Sequence, residues 1–189
     1  AGGRCVFGSA DGRIYCLAMD DGRPAWRFRA APNNRCLVAF GRLESVAPVS
    51  GSVLVRGGEV VFAAGRSVFL DGGLRMVRLD LRTGKLLAEH IMDDRDPAKP
   101  GRGFQYRQRG LNMPVGLPDI LSCDRHHLYM RSQRFDHDGT RTHLDPAPSA
   151  PGRVKGGVHL FSPTGFLDAT WMHRSYWVYG NGFNSGHSG

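Results

Sequence analysis

The stretch Val6–Gly22 (VFGSADGRIYCLAMDDG) decides the fold, because apolar runs alternate in it with tight-turn residues. Two apolar runs flank Asp11-Gly12, and Asp-Gly is the dipeptide that most readily adopts the positive φ angles of a hairpin turn. A second turn at Asp20–Gly22 leads to a third run that contains Trp26. The stretch therefore predicts a meander of three antiparallel strands.

Parts of this stretch recur along the chain, and recurrence at a distance is the signature of a repeat architecture. The segment that closes the meander has three copies, at Leu17–Gly22, Val77–Gly84 and Val158–Gly165. A leading hairpin has two copies, at Val53–Phe62 and Ile120–Tyr129, with their apolar positions in register. The chain is thus predicted to repeat one small β unit.

The repeated unit resembles the pyrroloquinoline quinone (PQQ)-like propeller repeat, which runs roughly as Gly-Ser-x-Asp-Gly, Ala-x-Asp, Thr-Gly and a Trp. The first copy lacks the usual Thr before its last glycine. The resemblance implies that Trp26 packs its blade against a neighbouring blade, and the equivalent residue of the second copy is Ala88. The matching positions are Gly8, Ser9, Asp11, Gly12, Ala18, Asp20, Gly22 and Trp26, followed by Asp80, Thr83, Gly84, Thr164 and Gly165.

The predicted fold class is all-β, a partial β-propeller of four-stranded antiparallel blades in one domain over residues 1–189. The blades are expected at 5–29, without an innermost strand, at 46–90 and at 117–171, and residues 176–179 are expected to begin another. Propellers close with about four to eight blades. Three blades cannot close a ring, so we expect the chain to be a piece of a longer protein.

The composition excludes some classes of function. The net charge is +8 and the pI is near 9.9, values that invite a nucleic-acid hypothesis. However, the arginines are scattered singly and lysine occurs only at Lys85, Lys99 and Lys155, so no specific nucleic-acid binding is predicted. No apolar run approaches the roughly 18 residues of a membrane span.

The four cysteines show no spacing typical of metal ligands. Cys5 and Cys16 fall on adjacent predicted strands, and a two-residue turn at Asp11-Gly12 would place Phe7 opposite Cys16. The two cysteines would then be diagonal neighbours on one face, a geometry that does not favour a disulfide. We expect buried free thiols at Cys5, Cys16, Cys36 and Cys123.

Loop lengths locate a candidate recognition surface. In a four-stranded blade, the second-to-third connections and the blade-to-blade connections emerge on one face of the disc. Long irregular segments in a compact fold usually bind something or are disordered. We expect all the long segments on that face and the short turns on the other. The long segments are Ala30–Ala47, Arg66–Leu74, Asp93–Gly116 and Phe135–Gly157.

The resemblance raises an enzyme hypothesis, because PQQ-dependent dehydrogenases are built from such blades. Their active site uses calcium, carboxylate and amide ligands and often a disulfide between adjacent cysteines, and this chain has no Cys-Cys pair. Candidate residue types occur at Asp119, Asp124, Asp168 and Asn181, but none matches the family motif. No catalytic, cofactor-binding or metal-binding residue is therefore assigned.

Three other features are predicted to be structural. Asp136–Gly139 lacks the later acidic positions of a calcium loop, so it predicts a polar turn. His126-His127 predicts a turn with one exposed imidazole, since adjacent strand residues face opposite sides. The aromatic segment Gly165–Gly180 is expected to fill gaps between blades.

The sequence favours a non-catalytic binding or scaffolding module that recognises a protein or saccharide with its long loops and that packs against the remainder of its own propeller. One alternative is part of a PQQ-dependent dehydrogenase whose active site lies elsewhere, and only this alternative brings PQQ and calcium as cofactors. The other alternative is an extracytoplasmic saccharide-binding propeller. The resemblance implies a periplasmic or other extracytoplasmic location.

Overall fold

The computed structural model describes residues 1–39, 41–96, 99–103, 120–130, 133–140, 158–161, 176–179 and 182–184. The regular structure in these residues is all β, as predicted. The strands are β1 (Arg4–Gly8), β2 (Arg13–Ala18), β3 (Pro24–Arg29), β4 (Cys36–Ala39), β5 (Arg42–Ser45), β6 (Leu54–Arg56), β7 (Glu59–Ala64), β8 (Leu74–Asp80), β9 (Leu86–Met92), β10 (Arg95–Asp96), β11 (Lys99–Gly103), β12 (Leu121–Cys123), β13 (His127–Met130), β14 (Gln133–Asp136), β15 (Val158–Phe161), β16 (Tyr176–Tyr179) and β17 (Gly182–Asn184).

The strands form antiparallel meanders in sequence order. Strands β6 to β9 make a four-stranded sheet, and three-stranded sheets are formed by β1 to β3, by β12 to β14 and by β15 to β17. Two hairpins, β4–β5 and β10–β11, stand apart from these sheets. None of the described sheets closes into a barrel, which agrees with a partial propeller.

The four-stranded sheet is buried on both of its faces. Strand β7 alternates between two cores, because successive side chains of a strand point to opposite faces. Val60 and Phe62 pack with Ile14 of the first sheet, whereas Val61 packs with Phe135 of the β12–β14 sheet. The sheet is thus the middle layer of three, and its almost uninterrupted apolar sequence follows from this double burial.

Trp26 attaches the first sheet to the second. Its indole Nε1 donates a hydrogen bond to the carbonyl oxygen of Leu81 at 2.9 Å. The ring lies over Gly84, where a β-carbon would be 2.6 Å from the Trp26 Cδ2 atom. Gly84 has a φ of +70° and its N–H donates to the Asp80 carbonyl, at the end of a turn in which Asp80 Oδ1 accepts from the Thr83 N–H and hydroxyl. Three repeat positions thus build the turn against which Trp26 packs.

The second copy of the repeat has alanine, Ala88, at the position where the first copy has Trp26. Ala88 pairs with Arg78 next to a bulge, as Trp26 pairs with Cys16 next to a bulge in the first sheet. The register therefore agrees with the predicted equivalence of Trp26 and Ala88.

The first hairpin differs from its predicted geometry. Its turn spans Ser9–Gly12, with Gly12 as the residue at positive φ (+79°). The longer turn shifts the register by one residue, so Cys16 lies opposite Val6 and Cys5 lies opposite Leu17. Cys5 and Cys16 therefore face opposite sides of the sheet, and the prediction that they share a face was wrong. Of the four cysteines, Cys16 alone is buried, whereas Cys5, Cys36 and Cys123 are exposed, so the expectation of buried thiols was wrong for these three.

The strand pairing of the third predicted blade also differs from expectation. Strand β13 pairs with β14 (Gln133–Asp136), a segment that the sequence analysis assigned partly to a loop. Val158–Phe161, which begins the third copy of the closing segment, pairs instead with Tyr176–Tyr179. The predicted range 117–171 thus contains strands of two different sheets, and Tyr176–Tyr179 is the middle strand of the second one. Thr164 and Gly165 lie outside the described residues.

A hydrogen-bonded carboxylate organises the turn between β12 and β13. Asp124 Oδ1 accepts from the backbone N–H groups of His126 and His127, both at 2.7 Å, and Oδ2 accepts from the Tyr129 hydroxyl at 2.6 Å. Burial alone would raise the pKa of Asp124, but these hydrogen bonds outweigh it and lower the pKa to about 2. Burial and the same hydrogen bond raise the pKa of Tyr129. The charged carboxylate is therefore a structural part of the turn.

Gly22 and Gly84 both have a φ of +70°, so a comparison of their alanine variants isolates the contribution of Trp26 packing to stability. Alanine at either position incurs the backbone strain, of order 1–3 kcal/mol. At Gly22 nothing lies within 4 Å of the added methyl, whereas at Gly84 the methyl displaces the Trp26 ring. Because overpacking costs about 1–3 kcal/mol, we expect Gly84→Ala to lower the free energy of unfolding by about 2 kcal/mol more than Gly22→Ala, measured by urea denaturation. Equal losses of unfolding free energy in the two variants would show that the packing of the Trp26 ring on Gly84 does not contribute to stability.

The hydrogen-bonded Asp124 predicts a pH-dependent contribution to stability. A depressed pKa stabilises the fold above the ordinary value of 3.8 and ceases to do so as the pH falls toward about 2. We expect Asp124→Asn to cost about 1 kcal/mol at pH 7, a figure reduced because the side chain is more than a third exposed. The difference from the wild type should vanish near pH 2 in urea denaturation. Exposed Asp20→Asn is the control, and a constant difference across this pH range would contradict the assignment.

Candidate functional site

Two of the four long segments meet the short β1–β2 turn at one end of the sheets, which agrees with the expectation for these two segments. The β1–β2 turn (9–12), the β4–β5 hairpin with its flanks (30–49) and the β7–β8 connection (65–73) are in mutual contact, and we call their surface the long-loop face. The N–H groups of Ser45 and Val49 donate to the carbonyls of Ala10 and Ser9, and that of Gly65 donates to Pro48. Because the β7–β8 connection leaves the sheet at this end, the contacts fix the hairpin above it.

Small residues allow this close packing. The carbonyl of Gly12 accepts hydrogen bonds from Ala30 and Ala31, both at 3.0 Å. A β-carbon at Gly12 would lie 2.7 Å from both the Ala31 Cβ and the Ser45 Oγ. The repeat glycine thus has two roles, since it supplies the positive φ of the turn and lets the base of the hairpin approach the backbone.

Two ion pairs join the hairpin to the β7–β8 connection. Arg66 Nη2 contacts Glu44 Oε2, with 26% and 19% of the two side chains exposed, and also reaches the Ser45 carbonyl at 3.4 Å. Arg35 Nη1 lies 3.5 Å from Asp71 Oδ1, at a more exposed site. The half-buried Arg66–Glu44 pair is the stronger constraint, since exposed pairs contribute little to stability.

Large apolar side chains project from the hairpin into solvent. Val38 and Leu43 are directly opposite each other on β4 and β5 and are 74% and 73% exposed. On the β7–β8 connection, Phe69 and Leu70 are 50% and 58% exposed. Val38 and Leu43 lie on the opposite side of the hairpin from Glu44, because successive strand residues alternate in direction. The ion pair therefore holds one side of the hairpin while the apolar pair faces outward.

The other two long segments differ in placement. Residues 93–103 continue directly from the end of β9, beside Gly73, and so begin at the long-loop end. Residues 136–140 lie at the opposite end, since His137 Nε2 contacts the Arg125 carbonyl at 2.6 Å in the short β12–β13 turn. The expectation that Phe135–Gly157 begins on the long-loop face was therefore wrong, because β14 returns the chain across the sheet. Residues 104–119 and 141–157 lie outside the described residues.

Of the four residues considered for quinone chemistry, the described part of the chain contains only Asp124. Asp124 is occupied by its own turn, and Asp119, Asp168 and Asn181 lie outside the described residues. Within the described part of the chain, no three His, Cys, Asp or Glu side chains are placed to hold a metal ion. In the predicted His126-His127 turn, His126 is exposed and His127 is half-buried. In the predicted Asp136–Gly139 turn, the Asp138 side chain accepts a hydrogen bond from the Thr140 N–H.

The β4–β5 hairpin was not predicted from the sequence. Residues 30–47 were assigned to an irregular loop, yet Cys36–Ala39 and Arg42–Ser45 are strands connected through Gly41, which has a φ of +74°. The apolar run Cys36–Ala39, closely followed by Gly41, is a strand-and-turn signal that was available in the sequence. The described residues contain no helix of the length and hydrophobicity that a bilayer crossing requires.

The Arg66–Glu44 pair should hold the hairpin in place. Glu44→Gln leaves the half-buried guanidinium without its carboxylate, so we expect hydrogen exchange of the β4 and β5 amides to accelerate by about tenfold, equivalent to about 1.4 kcal/mol of local opening. Asp71→Asn is the matched control, because it breaks only the exposed pair, and it should change exchange less than twofold. If the two variants behave alike, the hairpin is held by its backbone contacts alone.

Comparison with solved structures identifies the fold. The quinohemoprotein alcohol dehydrogenase ADHIIG of Pseudomonas putida HK5 matches 93% of this chain at 14% identity with a TM-score of 0.54, and the match covers 29% of that protein. A europium-containing methanol dehydrogenase matches 97% of the chain at 15% identity with a TM-score of 0.52 and is covered over 39% of its length. The quinohemoprotein alcohol dehydrogenase of Comamonas testosteroni matches 94% at 14% identity, with a TM-score of 0.53 and 30% of its length covered.

These likenesses concern the fold alone, because the identities are low. No family model matches the chain. No curated protein matches it either. The chain spans about a third of the length of the three dehydrogenases. The predicted resemblance is confirmed at the level of fold: the chain has the architecture of part of a quinoprotein alcohol dehydrogenase-like β-propeller.

Proposed function

We propose that this propeller segment is a non-catalytic binding module that recognises a protein partner through the long-loop face. The exposed pair Val38 and Leu43 carries the proposal, since these are the two most exposed large apolar side chains among the described residues. Each exposes about three quarters of its surface to water, at a hydrophobic cost that association with a partner would remove.

The long-loop face is preorganised for such a contact. The hairpin is fastened to the β1–β2 turn by backbone hydrogen bonds and to the β7–β8 connection by Arg66–Glu44. Binding by a surface that is already ordered loses less conformational entropy than binding by a flexible loop. A rigid apolar pair with a polar surround also resembles the composition of protein interfaces, which have an apolar centre and a polar rim.

The chemistry of the exposed side chains favours a protein over a saccharide. Sugar rings stack on flat aromatic side chains, whereas Val38 and Leu43 are aliphatic. On the described part of this face Phe69 is the one exposed large aromatic residue. We further propose an extracytoplasmic location, which rests on the resemblance of the repeat.

Photo-crosslinking tests the proposed surface. A photoreactive residue at position 38 should form an adduct with a partner in extracts of the native cells, and the same residue at Leu87, an exposed site on β9, should not. Mass spectrometry identifies the partner, and its affinity for the purified protein is then measured by calorimetry. We expect Leu43→Glu to weaken binding at least tenfold, about 1.4 kcal/mol, and Leu87→Glu to change it less than twofold. Binding that is insensitive to Leu43→Glu would refute the assignment of this face.

A second candidate function is a structural part of a PQQ-dependent dehydrogenase. It is favoured by the fold likeness to two quinohemoprotein alcohol dehydrogenases and a methanol dehydrogenase. Titration of the complete protein with PQQ in the presence of calcium separates the two functions. Stoichiometric quinone binding would support the dehydrogenase and overturn the non-catalytic module.

A further inference from the structure

A polar cleft of about 240 Å³ opens between the β6–β9 sheet and the β12–β14 sheet, at the end opposite the long-loop face. It is lined by Arg56, Gly57, Glu59, Val61, Arg78, Leu128 and His137. Since one water molecule occupies about 30 Å³ in the liquid, the cleft holds a small organic ion as well as water. Its position makes it independent of the protein-binding surface proposed above.

Arg56 gives the cleft a cation without a carboxylate partner. Its Nη1 donates to the Asp124 carbonyl and its Nη2 donates to the Arg125 carbonyl at 3.0 Å. Carbonyl oxygens accept hydrogen bonds but do not neutralise the guanidinium, and within the described residues no carboxylate forms an ion pair with it. These contacts hold the guanidinium in place at the cleft wall.

Arg78 and His137, which also line the cleft, are held in place by hydrogen bonds to neighbouring residues. Arg78 gives its Nε and Nη2 groups to Glu59, at distances between 2.7 and 3.1 Å, and the Nη1 group takes no partner among the described residues. His137 must donate through Nε2 in its contact with the Arg125 carbonyl, because a carbonyl oxygen can only accept. Two guanidinium groups and one imidazole thus line a single cleft.

The charges select a singly charged ligand. Among the residues that line the cleft, Arg56 and Arg78 contribute two positive charges and Glu59 one negative charge, which leaves one net positive charge from these three. Asp138 also stands near Arg78 and His90, so a dianion would meet added repulsion. A guanidinium offers paired N–H donors that match the two oxygens of a carboxylate.

We propose that the cleft is a binding site for a small monocarboxylate, with Arg56 as its principal cation. The carboxylate would accept from Arg56 and Arg78 while its carbon substituent lies toward Val61 and Leu128. The ligand would bridge two neighbouring sheets, so its binding would also reinforce their packing.

Acetate is the probe, titrated into the ¹⁵N-labelled protein and followed by NMR, with sodium chloride at matched ionic strength as the salt control. We expect saturable shifts at Gly57, Arg78 and His137. Arg56→Gln should weaken acetate binding at least tenfold, and Arg56→Lys should also weaken it because an ammonium cannot supply the paired donors. Arg42→Gln, which removes the same charge from an exposed site on β5, should change it less than twofold.

Several outcomes would overturn the proposal. These are the absence of saturable shifts in the folded wild type, equal weakening by Arg42→Gln, or tighter binding of the phosphate dianion at pH 8 than of acetate. Because Arg56 also joins two sheets, Arg56→Gln could unfold the protein, and loss of spectral dispersion would reveal this. His137→Ala then serves as the second variant, with an expected loss of about threefold or more, and an unchanged affinity there would count against the site.

Discussion

The structure depends on the burial of both faces of the β6–β9 sheet. Alternate side chains of β7 enter two different cores, so this strand has no solvent-facing side to carry polar residues. A sheet of this kind cannot exist alone in water, because each face needs an apolar neighbour. The first sheet and the β12–β14 sheet provide these neighbours, and the stacked arrangement is the principle on which propeller blades are assembled.

Specific polar contacts determine how the stacked sheets are aligned. Hydrophobic burial is not directional, whereas the Trp26 hydrogen bond to Leu81 and the Arg56 contacts with Asp124 and Arg125 each join one atom to another across sheets. Both sets of contacts act at turns rather than in the cores. The turns between strands are therefore the positions at which neighbouring blades are aligned, and a repeat motif rich in turn residues is consistent with this role.

The two ends of the sheets differ in surface chemistry, because the connections are long at one end and short at the other. At the long-loop end, the chain leaves the sheets and forms an additional hairpin whose outward side chains are aliphatic. At the other end the turns are short, so the charged residues that border them lie close to one another in a cleft between sheets. The surface proposed to bind a protein and the cleft proposed to bind a monocarboxylate therefore share no residues.

The sequence by itself determined the strand-and-turn meander, the all-β class and the propeller resemblance, because local turn chemistry and period-2 apolar patterns encode these features. It also assigned Trp26 and the Asp80–Gly84 turn to positions of the repeat. Only the tertiary structure decided the register of the first hairpin, where one extra turn residue put Cys5 and Cys16 on opposite faces. It likewise decided that Gln133–Asp136 rather than Val158–Phe161 follows β13, and that Arg56 and His137 meet at one carbonyl. Arg56 and Arg125 are 69 residues apart in the chain, so no local pattern specifies their contact.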